Sequence, residues 1–403
     1  MKTEASQKLF TNTVLIDGKE GTPVEDGCIL IQGERIVYAG ERQGLPETPE
    51  SVETVDCAGH YMIPGLIDCH IHLELHGFAD TYQENLVEDK VRTLRAAKEM
   101  ADTLKAGFTT VRNVGSANRI DLAVKAGIDQ GFCPGPRIRA AGRIISMTCS
   151  GTEYFDGMYR IADGVDDCRK AAREQLRAGA DMLKVMATGA VMNPGGVPGA
   201  VQFDEDEIRA VVEEGLKLGK HTAAHAHAAQ GIINAVNAGV RTIEHGTMAD
   251  DAALEAMAAA GTYLVPTISL HELFEAYADE VPPFMLEKSR QMQAEYIDIV
   301  KKAVAMGIPV AMGTDAGTNY NYHGMNAGEL IFLVKHGIMD EKAALASATR
   351  VAAEAILMDD DIGTLEQGKF ADFVLLRENP LENISILGDP EGIAAVYKGG
   401  SKV

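Results

Sequence analysis

The sequence contains few basic residues relative to acidic ones. Its 403 residues include 37 lysines and arginines and 59 aspartates and glutamates, which gives a formal net charge of −22 at pH 7. A protein that binds nucleic acid needs a basic surface for the phosphates, and an anionic membrane attracts basic segments in the same way. We therefore expect neither a nucleic-acid partner nor a membrane partner, and we interpret the charge as favouring solubility.

Long apolar runs and paired cysteines are also missing. No apolar stretch approaches the roughly 20 residues that a membrane-spanning helix requires. The segment MKTEASQKLFTNTVLIDG has no basic region followed by an apolar core, so we expect no secretory signal. The six cysteines show no CxxC spacing, which is typical of reduced thiols rather than a disulfide framework. These absences predict a cytoplasmic protein.

Segments typical of strands and helices alternate through the centre of the sequence. No GxGxxG motif follows an early strand, which argues against a doubly wound open sheet. The capping pattern of Asp204 and Glu207 predicts the start of one helix, and Gly219 its end. Eight β–α units over roughly 290 residues match a (β/α)8 barrel. We therefore predict an α/β protein with a TIM barrel over residues 63–358. The strand candidates are residues 61–70, 108–114, 136–145, 181–187, 221–226, 241–245, 262–268 and 309–313, with helices such as 89–106 and 204–218 between them.

The two ends of the sequence show alternation of apolar and polar residues instead. TVLIDGKEGTPVEDGCILIQGERIVYAG lies near the start, and IGTLEQGKFADFVLL lies near the end. Short β segments form a stable sheet only when enough strands pair, so these two regions are expected to pair with each other. The pattern predicts a small β-sandwich built from residues 1–62 plus 359–403, beside the barrel.

Residues of metal-ligand type occur at the ends of the predicted barrel strands. Because the C-terminal ends of barrel strands converge on one face, these side chains are expected to meet there. Two of the histidine pairs have i, i+2 spacing, which points both rings of a pair to one side of a strand. The residues are His70, His72, Lys184, His225, His227, His245 and Asp315, with Pro64 and Gly65 ahead of the first pair. Imidazole and carboxylate groups in this arrangement predict a two-metal site.

Lys184 and Asp315 each allow two interpretations. A lysine in the apolar run MLKVMA would be buried, which lowers the pKa of its amine. The amine could react with CO2 to form a carbamate that bridges two metals, or it could pair with a buried carboxylate such as Asp315. Asp315 in turn could be a metal ligand and general base or an ordinary turn residue; its place at the eighth predicted strand favours the first.

Five segments together resemble the amidohydrolase superfamily: PGLIDCHIHLE, LKVMATGAV, AAHAHAAQGI, AVNAGVRTIEHGT and MGTDAG. The resemblance is strongest to imidazolonepropionase-like proteins and to metal-dependent Xaa-Pro or Xaa-Arg dipeptidases, and it covers essentially the whole chain. It implies two divalent metal ions, for which zinc suits the ligand set. The implied ligands are His70, His72 and Asp315 for one metal, His225 and His245 for the other, and carboxylated Lys184 as the bridge.

The resemblance also implies an activity. The enzyme would cleave a dipeptide or an N-acyl amino acid by attack of a metal-bridged hydroxide, as a Xaa-Pro dipeptidase does, with Asp315 as general acid–base and His227 as a substrate-binding residue. Hydrolysis of a cyclic amide or of a xenobiotic N-acyl amino acid is the alternative. A non-catalytic scaffold is a further alternative, but it predicts missing ligands. The expected partners are a small-molecule substrate and further copies of the chain in a homo-oligomer.

The loop over residues 147–160 departs from the resemblance. Relatives often carry Thr-Gly-Gly-His after the third barrel strand, whereas this chain reads MTCSGTEY from Met147 to Tyr154. The missing histidine leaves the fine specificity open. Four further residues also follow predicted strands, and substrate contact is not distinguished from surface or packing roles for any of them. They are Arg112, His271, Tyr320 and Tyr322.

Overall fold

The structure is a computed structural model, and it describes residues 7–403 except Glu20, Glu50, Ala294 and the side chain of Gln293. Residues 1–6 of the predicted sandwich lie outside the described residues. The strands are β1 (Gln7–Leu15), β2 (Val24–Gln32), β3 (Arg35–Glu41), β4 (Glu53–Asp56), β5 (Tyr61–Pro64), β6 (Leu66–Ile71), β7 (Phe108–Asn113), β8 (Arg137–Ala140), β9 (Ile144–Ser146), β10 (Tyr159–Ile161), β11 (Leu183–Met186), β12 (Thr222–Ala228), β13 (Thr242–Met248), β14 (Tyr263–Val265), β15 (Phe373–Leu376), β16 (Ile393–Lys398) and β17 (Ser401–Lys402).

Helices alternate with most of the central strands. They are α1 (Asp89–Lys105), α2 (Ile120–Asp129), α3 (Val165–Ala178), α4 (Glu205–Leu216), α5 (Ala229–Ala238), α6 (Asp251–Ala260), α7 (Ile268–Ala276), α8 (Pro283–Gln293), α9 (Tyr296–Ala305), α10 (Gly328–Lys335), α11 (Glu341–Ser347) and α12 (Arg350–Ala355). The capping box of Asp204 and Glu207 begins α4 as predicted. Among the described residues, no helix is both long enough and apolar enough to cross a bilayer.

One sheet is built from both ends of the chain. Its order is β17-β16-β15-β5-β1-β2-β3, and β4 pairs with β1 along the same edge as β5. The two ends join at β5, which runs antiparallel to β15 and parallel to β1. Phe10, Phe373 and Tyr397 are buried against one another in its core, with ring centroids 4.6–5.0 Å apart. The predicted pairing of the two end regions is therefore present, while their division into two sandwich layers stays a prediction.

The central strands form two parallel sheets. β6, β7 and β8 make one, and β10, β9, β11, β12, β13 and β14 make the other. The predicted strand 309–313 is not a continuous strand, because it contributes only isolated bridges. Val310 bridges to Leu264 of β14, and Ala316 bridges to Ile71 of β6. Backbone hydrogen bonds, such as Cys69 N–H to Met312 O and Ala311 N–H to Leu264 O, also connect this segment to both parallel sheets. The full closure of the barrel stays a prediction.

Two other predicted strands are interrupted. The segment 61–70 divides at Gly65 into β5 of the end sheet and β6 of the central sheet. A Cβ atom at Gly65 would lie 2.1 Å from Oγ1 of Thr109, so only glycine leaves room for the Thr109 side chain there. The segment 136–145 divides into β8 and β9, with Gly142 between them at a φ of +70°.

Candidate metal centre

The seven side chains singled out in the sequence line one cavity. The void, including its open mouth, measures about 690 Å³. They reach it from β6, β11, β12, β13 and the segment 310–316. The seven residues are His70, His72, Lys184, His225, His227, His245 and Asp315. The structure thus brings the predicted site residues together, while their individual roles stay predictions.

Three of these residues form the tightest group of possible ligands. Ligand atoms of His70, His245 and Asp315 all lie within 4.8 Å of one another. Oδ1 of Asp315 is 3.4 Å from Nε2 of His70 and 3.5 Å from Nε2 of His72. His225 packs beside His245 with ring centroids 4.6 Å apart. His70 and Asp315 belong to one of the two ligand sets implied by the resemblance, and His245 belongs to the other. The two sets therefore lie close together.

Acceptors in the surrounding structure determine which nitrogen of two rings faces the cavity. Nδ1 of His70 lies 2.7 Å from Oε2 of Glu244, and Nδ1 of His72 lies 2.8 Å from the carbonyl oxygen of Gly115. A carboxylate and a carbonyl only accept hydrogen bonds, so both Nδ1 atoms carry hydrogen. In the neutral rings each Nε2 atom then has a free lone pair, which is the arrangement found in metal-binding histidines.

Two threonines hold further rings of the site. Nδ1 of His227 is 2.8 Å from Oγ1 of Thr247, and Nδ1 of His245 is 2.8 Å from Oγ1 of Thr267. The hydroxyl of Tyr296 donates to the carbonyl oxygen of His245 at 3.0 Å. These contacts fix the orientation of both rings, because each ring is held by a threonine in or just after the next parallel strand.

Several buried polar atoms of the site have no hydrogen-bond partner within the described part of the chain. They are Nε2 of His225, Nε2 of His227 and Oδ1 of Asp315. Leaving such an atom unpaired costs about 1–3 kcal/mol, so partnerless atoms are rare unless a water, an ion or a ligand pairs with them. The imidazole nitrogen of His225 and the carboxylate oxygen of Asp315 are donors suited to a divalent metal such as zinc. The residues present therefore fit a metal site.

Glu244 and Arg112 form a buried ion pair beneath the histidines. Nη2 of Arg112 donates to Oε1 of Glu244 at 2.8 Å, and both side chains are fully buried. Burial alone would raise the pKa of Glu244, but the Arg112 guanidinium and the His70 hydrogen bond hold that pKa below its ordinary value. Glu244 is therefore ionised and holds His70 in place. Sequence reasoning missed this pair, although Glu244 directly precedes His245.

Three residues at the centre have backbone conformations that are uncommon for their residue types. His245, Thr267 and Asp315 have φ angles of 72°, 56° and 62°. Non-glycine residues with positive φ are concentrated at functional sites, where the surrounding structure maintains them. In β13 the unusual angle also interrupts the alternation of side chains. Consequently both Glu244 and His245 point towards the histidine cluster.

Among the described residues, Lys184 is the only lysine that lines the cavity. Its side chain is 2% exposed, and burial lowers the pKa of its amine to about 8 although Glu244 raises it. Within the described residues it has no hydrogen bond and no ion pair. The structure therefore does not contain the ion pair with Asp315 that the sequence left open. An amine of this kind is in part uncharged at neutral pH and is nucleophilic.

The rest of the cavity wall is largely apolar and carries no arginine among the described residues. Phe155, Met158 and Tyr159 come from the loop 147–160, so the departing loop forms part of the site. His227 is neutral, because burial lowers its pKa to about 3. The apolar lining residues are Leu75, Ile144, Phe155, Met158, Met186, Ala190, Val191, Met192, Leu270 and Phe274.

The four residues of open role fall into different environments. Arg112 is buried beneath the site, and His271 lines the cavity. Tyr320 stacks on Tyr277 with centroids 4.1 Å apart and donates to Oε2 of Glu280 at 2.8 Å. Tyr322 is 39% exposed. Tyr320 and Tyr322 do not line the cavity, so the packing and surface interpretations hold for them.

Comparisons with known proteins agree with this architecture. A solved Xaa-Pro dipeptidase with methionine bound in its active site is 32% identical, with a TM-score of 0.90 over 99% of this chain and 100% of that one. Ochratoxinase from Aspergillus niger is 29% identical over 98% of this chain and 86% of its own length, and its crystal structure matches with a TM-score of 0.89. Imidazolonepropionase from Mesorhizobium japonicum is 27% identical over 96% of this chain and 95% of its own length.

These relatives share a hydrolytic activity and a fold of the TIM-barrel type, which confirms both the resemblance and the expectation of an enzyme. The scaffold alternative is therefore excluded. The model of the amidohydrolase family matches residues 61–403, which is most of the sequence. The chain belongs to the amidohydrolase family.

Proposed function

We propose that the protein is a metal-dependent hydrolase that cleaves the amide bond of a dipeptide or an N-acyl amino acid. The observation that carries this proposal is the set of seven side chains around one cavity, including buried lone-pair atoms without partners. The similarity to a Xaa-Pro dipeptidase supports the choice of substrate class.

The residues of this site would hold two divalent ions, for which zinc is the first choice. When bound, they supply the Lewis acidity that lowers the pKa of water and polarises a carbonyl group. The proposed ligands are His70, His72 and Asp315 for one ion, His225 and His245 for the other, and the carbamate of Lys184 for both. Formation of the carbamate joins the uncharged amine to CO2 and releases one proton.

Asp315 is proposed as the general acid–base. Burial raises the pKa of its carboxyl group, but His70 and His72 outweigh that effect and lower it below its ordinary value. Asp315 is therefore ionised at neutral pH, and its Oδ1 has no hydrogen-bond partner among the described residues. This oxygen can accept the proton of the attacking water and deliver it to the departing amine.

The apolar wall orients the rest of the substrate. Phe155 and Phe274 face the cavity together with several methionines, so a bulky apolar side chain or acyl group fits there better than a charged one. His227 is proposed as a neutral substrate-binding group. The apolar wall also favours the second candidate, a bulky N-acyl amino acid, and ochratoxinase is among the similar proteins. Cyclic-amide hydrolysis has only the similarity to imidazolonepropionase in its favour.

The remaining predictions on architecture stay part of this proposal. We infer that the two parallel sheets close into a (β/α)8 barrel over residues 63–358, since bridges from Val310 and Ala316 connect their edges. Residues 1–62 plus 359–403 would form the sandwich domain, although β5 extends to Pro64. The homo-oligomer and the cytoplasmic location are predictions that rest on the sequence alone.

Metal content and turnover test the proposed function together. The purified protein should contain close to two divalent ions per chain and should hydrolyse members of a library of dipeptides and N-acyl amino acids. His245→Ala should lower the metal content and abolish turnover, because it removes one proposed ligand. His336→Ala is the control, since His336 contacts Glu272 away from the cavity lining. Normal metal content in the His245 variant would contradict the ligand assignment.

A further inference from the structure

His271 is a cavity-lining residue that the proposed chemistry does not use. It lies in α7, follows β14 and is 4% exposed. Its Nδ1 atom is 2.8 Å from Oγ of Ser289 in α8, and its ring packs on Tyr296 with centroids 5.3 Å apart. Its Nε2 atom has no hydrogen-bond partner among the described residues. Unlike Nε2 of His227, this atom is not fully buried. The free nitrogen of His271 therefore opens to the cavity.

Ser289 determines which nitrogen of His271 carries hydrogen. The serine is 1% exposed, and within the described structure His271 is the partner of its hydroxyl group. A buried hydroxyl hydrogen needs an acceptor. If Nδ1 carried hydrogen, the hydroxyl could only accept and its own hydrogen would have no acceptor. Ser289 therefore donates to Nδ1, and the single hydrogen of the neutral ring is on Nε2.

The ring is neutral at the pH of the proposed reaction. Burial lowers the pKa of His271 to about 4, although Asp315 raises it. The cavity wall has no arginine among its described residues, and Lys184 is its only lysine. A carbonyl or carboxylate oxygen of a substrate loses its water when it enters such a cavity and needs a hydrogen-bond donor there. The neutral N–H group of His271 is such a donor.

We propose that His271 is a substrate-contacting residue that donates its Nε2 hydrogen to a carbonyl or carboxylate oxygen of the substrate. This inference rests on the proposed function, because it assumes an amide substrate in the same cavity. Ser289 is the positioning residue that holds the ring and its tautomer. The same helix is attached to a second part of the wall, since Lys288 donates to the carbonyl oxygen of Asn193 at 2.8 Å.

Three variants separate the donor from the bulk of the ring. His271→Gln can place an amide donor near the position of Nε2, whereas His271→Phe fills similar space without a donor, and Ser289→Ala removes control of the tautomer. We expect His271→Phe to lower kcat/KM by roughly 10- to 100-fold, the effect of a lost hydrogen bond to a polar or charged group. His271→Gln should recover most of the loss, and Ser289→Ala should fall between the two. His336→Phe and His336→Gln are the matched controls.

The substrate pair identifies the oxygen. For an N-acyl amino acid and its C-terminal amide, equal losses in His271→Phe would assign the bond to an oxygen that both substrates share. A larger loss for the acid would assign it to the carboxylate. Metal content and melting temperature are measured in every variant, because a purely structural role would change these and would not be rescued by glutamine.

The tautomer is measured in the wild-type protein and does not depend on the stability of any variant. Protein labelled with ¹⁵N-histidine should show an Nε2–H tautomer for His271 at pH 7. The His271 signal is assigned as the one that is missing in His271→Gln. If that variant does not fold, the signal is assigned as the one that changes its chemical shift in Ser289→Ala. An Nδ1–H tautomer would overturn the inference. Wild-type kcat/KM in a metal-loaded His271→Phe enzyme would overturn it as well. If the wild-type protein hydrolyses no amide, the proposed function fails and this inference fails with it.

Discussion

At the scale of the residue, Glu244 contributes both to the stability of the fold and to the geometry of the site. It receives the Arg112 guanidinium on one oxygen and orients His70 with the other. It is also a fully buried charge, and removing one partner of such a pair is far more costly than the pair is stabilising. Its carboxylate therefore connects stability and metal binding in a single side chain.

Glu244→Gln should weaken both properties. The variant leaves the buried Arg112 without a charged partner, so we expect a loss of about 3–5 kcal/mol in the free energy of unfolding. It also weakens the group that orients His70, so metal affinity should fall by roughly 10- to 100-fold. Denaturant titration and competition with a metal chelator measure the two effects. Glu280→Gln, at an exposed carboxylate, is the control. Unchanged values in the Glu244 variant would contradict the role assigned to it.

Asp315→Asn should separate chemistry from folding. Asparagine tolerates the φ of 62° at this position, so circular dichroism should show a preserved fold. Loss of the general acid–base should lower kcat by roughly 10²- to 10⁴-fold. The exposed Asp360, replaced by asparagine, provides the comparison. Turnover close to that of the wild type would show that another group transfers the proton.

The sequence predicted the residues around the cavity but not the contacts that hold them. His70 and His72 could be located because their spacing and the preceding apolar run indicate a strand end. Glu244 could not, because alternation along a strand places it opposite His245. The positive φ of His245 changes that geometry, and a backbone angle of this kind has no signature in a single sequence. Arg112 was noticed, but its partner was not.

At the scale of the element, Glu214 contacts the largest number of basic residues between α3 and α4 among the ion pairs of the described residues. Glu214 of α4 contacts Arg173, Lys217 and Arg169, at 3.0, 2.6 and 3.0 Å. The hydrogen bond from Arg173 is the largest cause that lowers the pKa of Glu214 to about 2. Because its pKa is lower in the folded state than in the unfolded chain, this carboxylate stabilises the fold only while it is ionised.

Glu214→Gln should therefore give a stability loss that depends on pH. Above the ordinary glutamate pKa of about 4.3, we expect a loss of about 1 kcal/mol, since the side chains of Arg173 and Lys217 are more than half exposed to solvent. As the pH falls towards 2, the wild type loses the same contribution and the difference should vanish. Urea titrations at pH 7, 5 and 3.5 test this trend. Glu213→Gln removes the neighbouring glutamate, which contacts only one of these bases, Arg169, and it should show a smaller difference. A difference that grows on acidification would refute the prediction.

Element boundaries were predictable where local signals determine them. The capping box of Asp204 and Glu207 marks the start of α4 in both the sequence and the structure. The division of 61–70 at Gly65 was not predictable, because it depends on the approach of Thr109 from a strand distant in sequence. The segment 309–313 has the composition of a strand, but it forms isolated bridges and scattered backbone hydrogen bonds instead of a continuous ladder. Pairing depends on partners that local composition does not identify.

At the scale of the whole molecule, the end sheet depends on an aromatic core contributed by both ends of the chain. Phe373 is fully buried, and its ring centroid lies 4.9 Å from that of Phe10 and 4.6 Å from that of Tyr397. The sequence could predict that the two end regions pair, because neither could form a stable sheet alone. It could not predict which residues meet, because register across such a separation is set by packing.

Phe373→Ala should destabilise the protein by about 3–5 kcal/mol, the typical cost of removing a buried phenylalanine ring. Phe132→Ala is the control, because Phe132 is 80% exposed. Denaturant unfolding followed by fluorescence and by turnover would show whether the sheet and the active site are lost in one transition. A loss below 1 kcal/mol would mean that the ring is not essential to the sheet.

The position of β5 between β1 and β15 also affects the order in which the protein can fold during synthesis. β5 pairs with β1, which is made earlier, and with β15, which begins at Phe373. Until the ribosome has released residues 373–376, one edge of β5 has unpaired backbone groups, although the central strands have already emerged. An unpaired strand edge can pair with another chain. Nascent chains of this protein are therefore expected to be most prone to aggregation just before β15 is complete, and chaperones that cover strand edges should act at that stage.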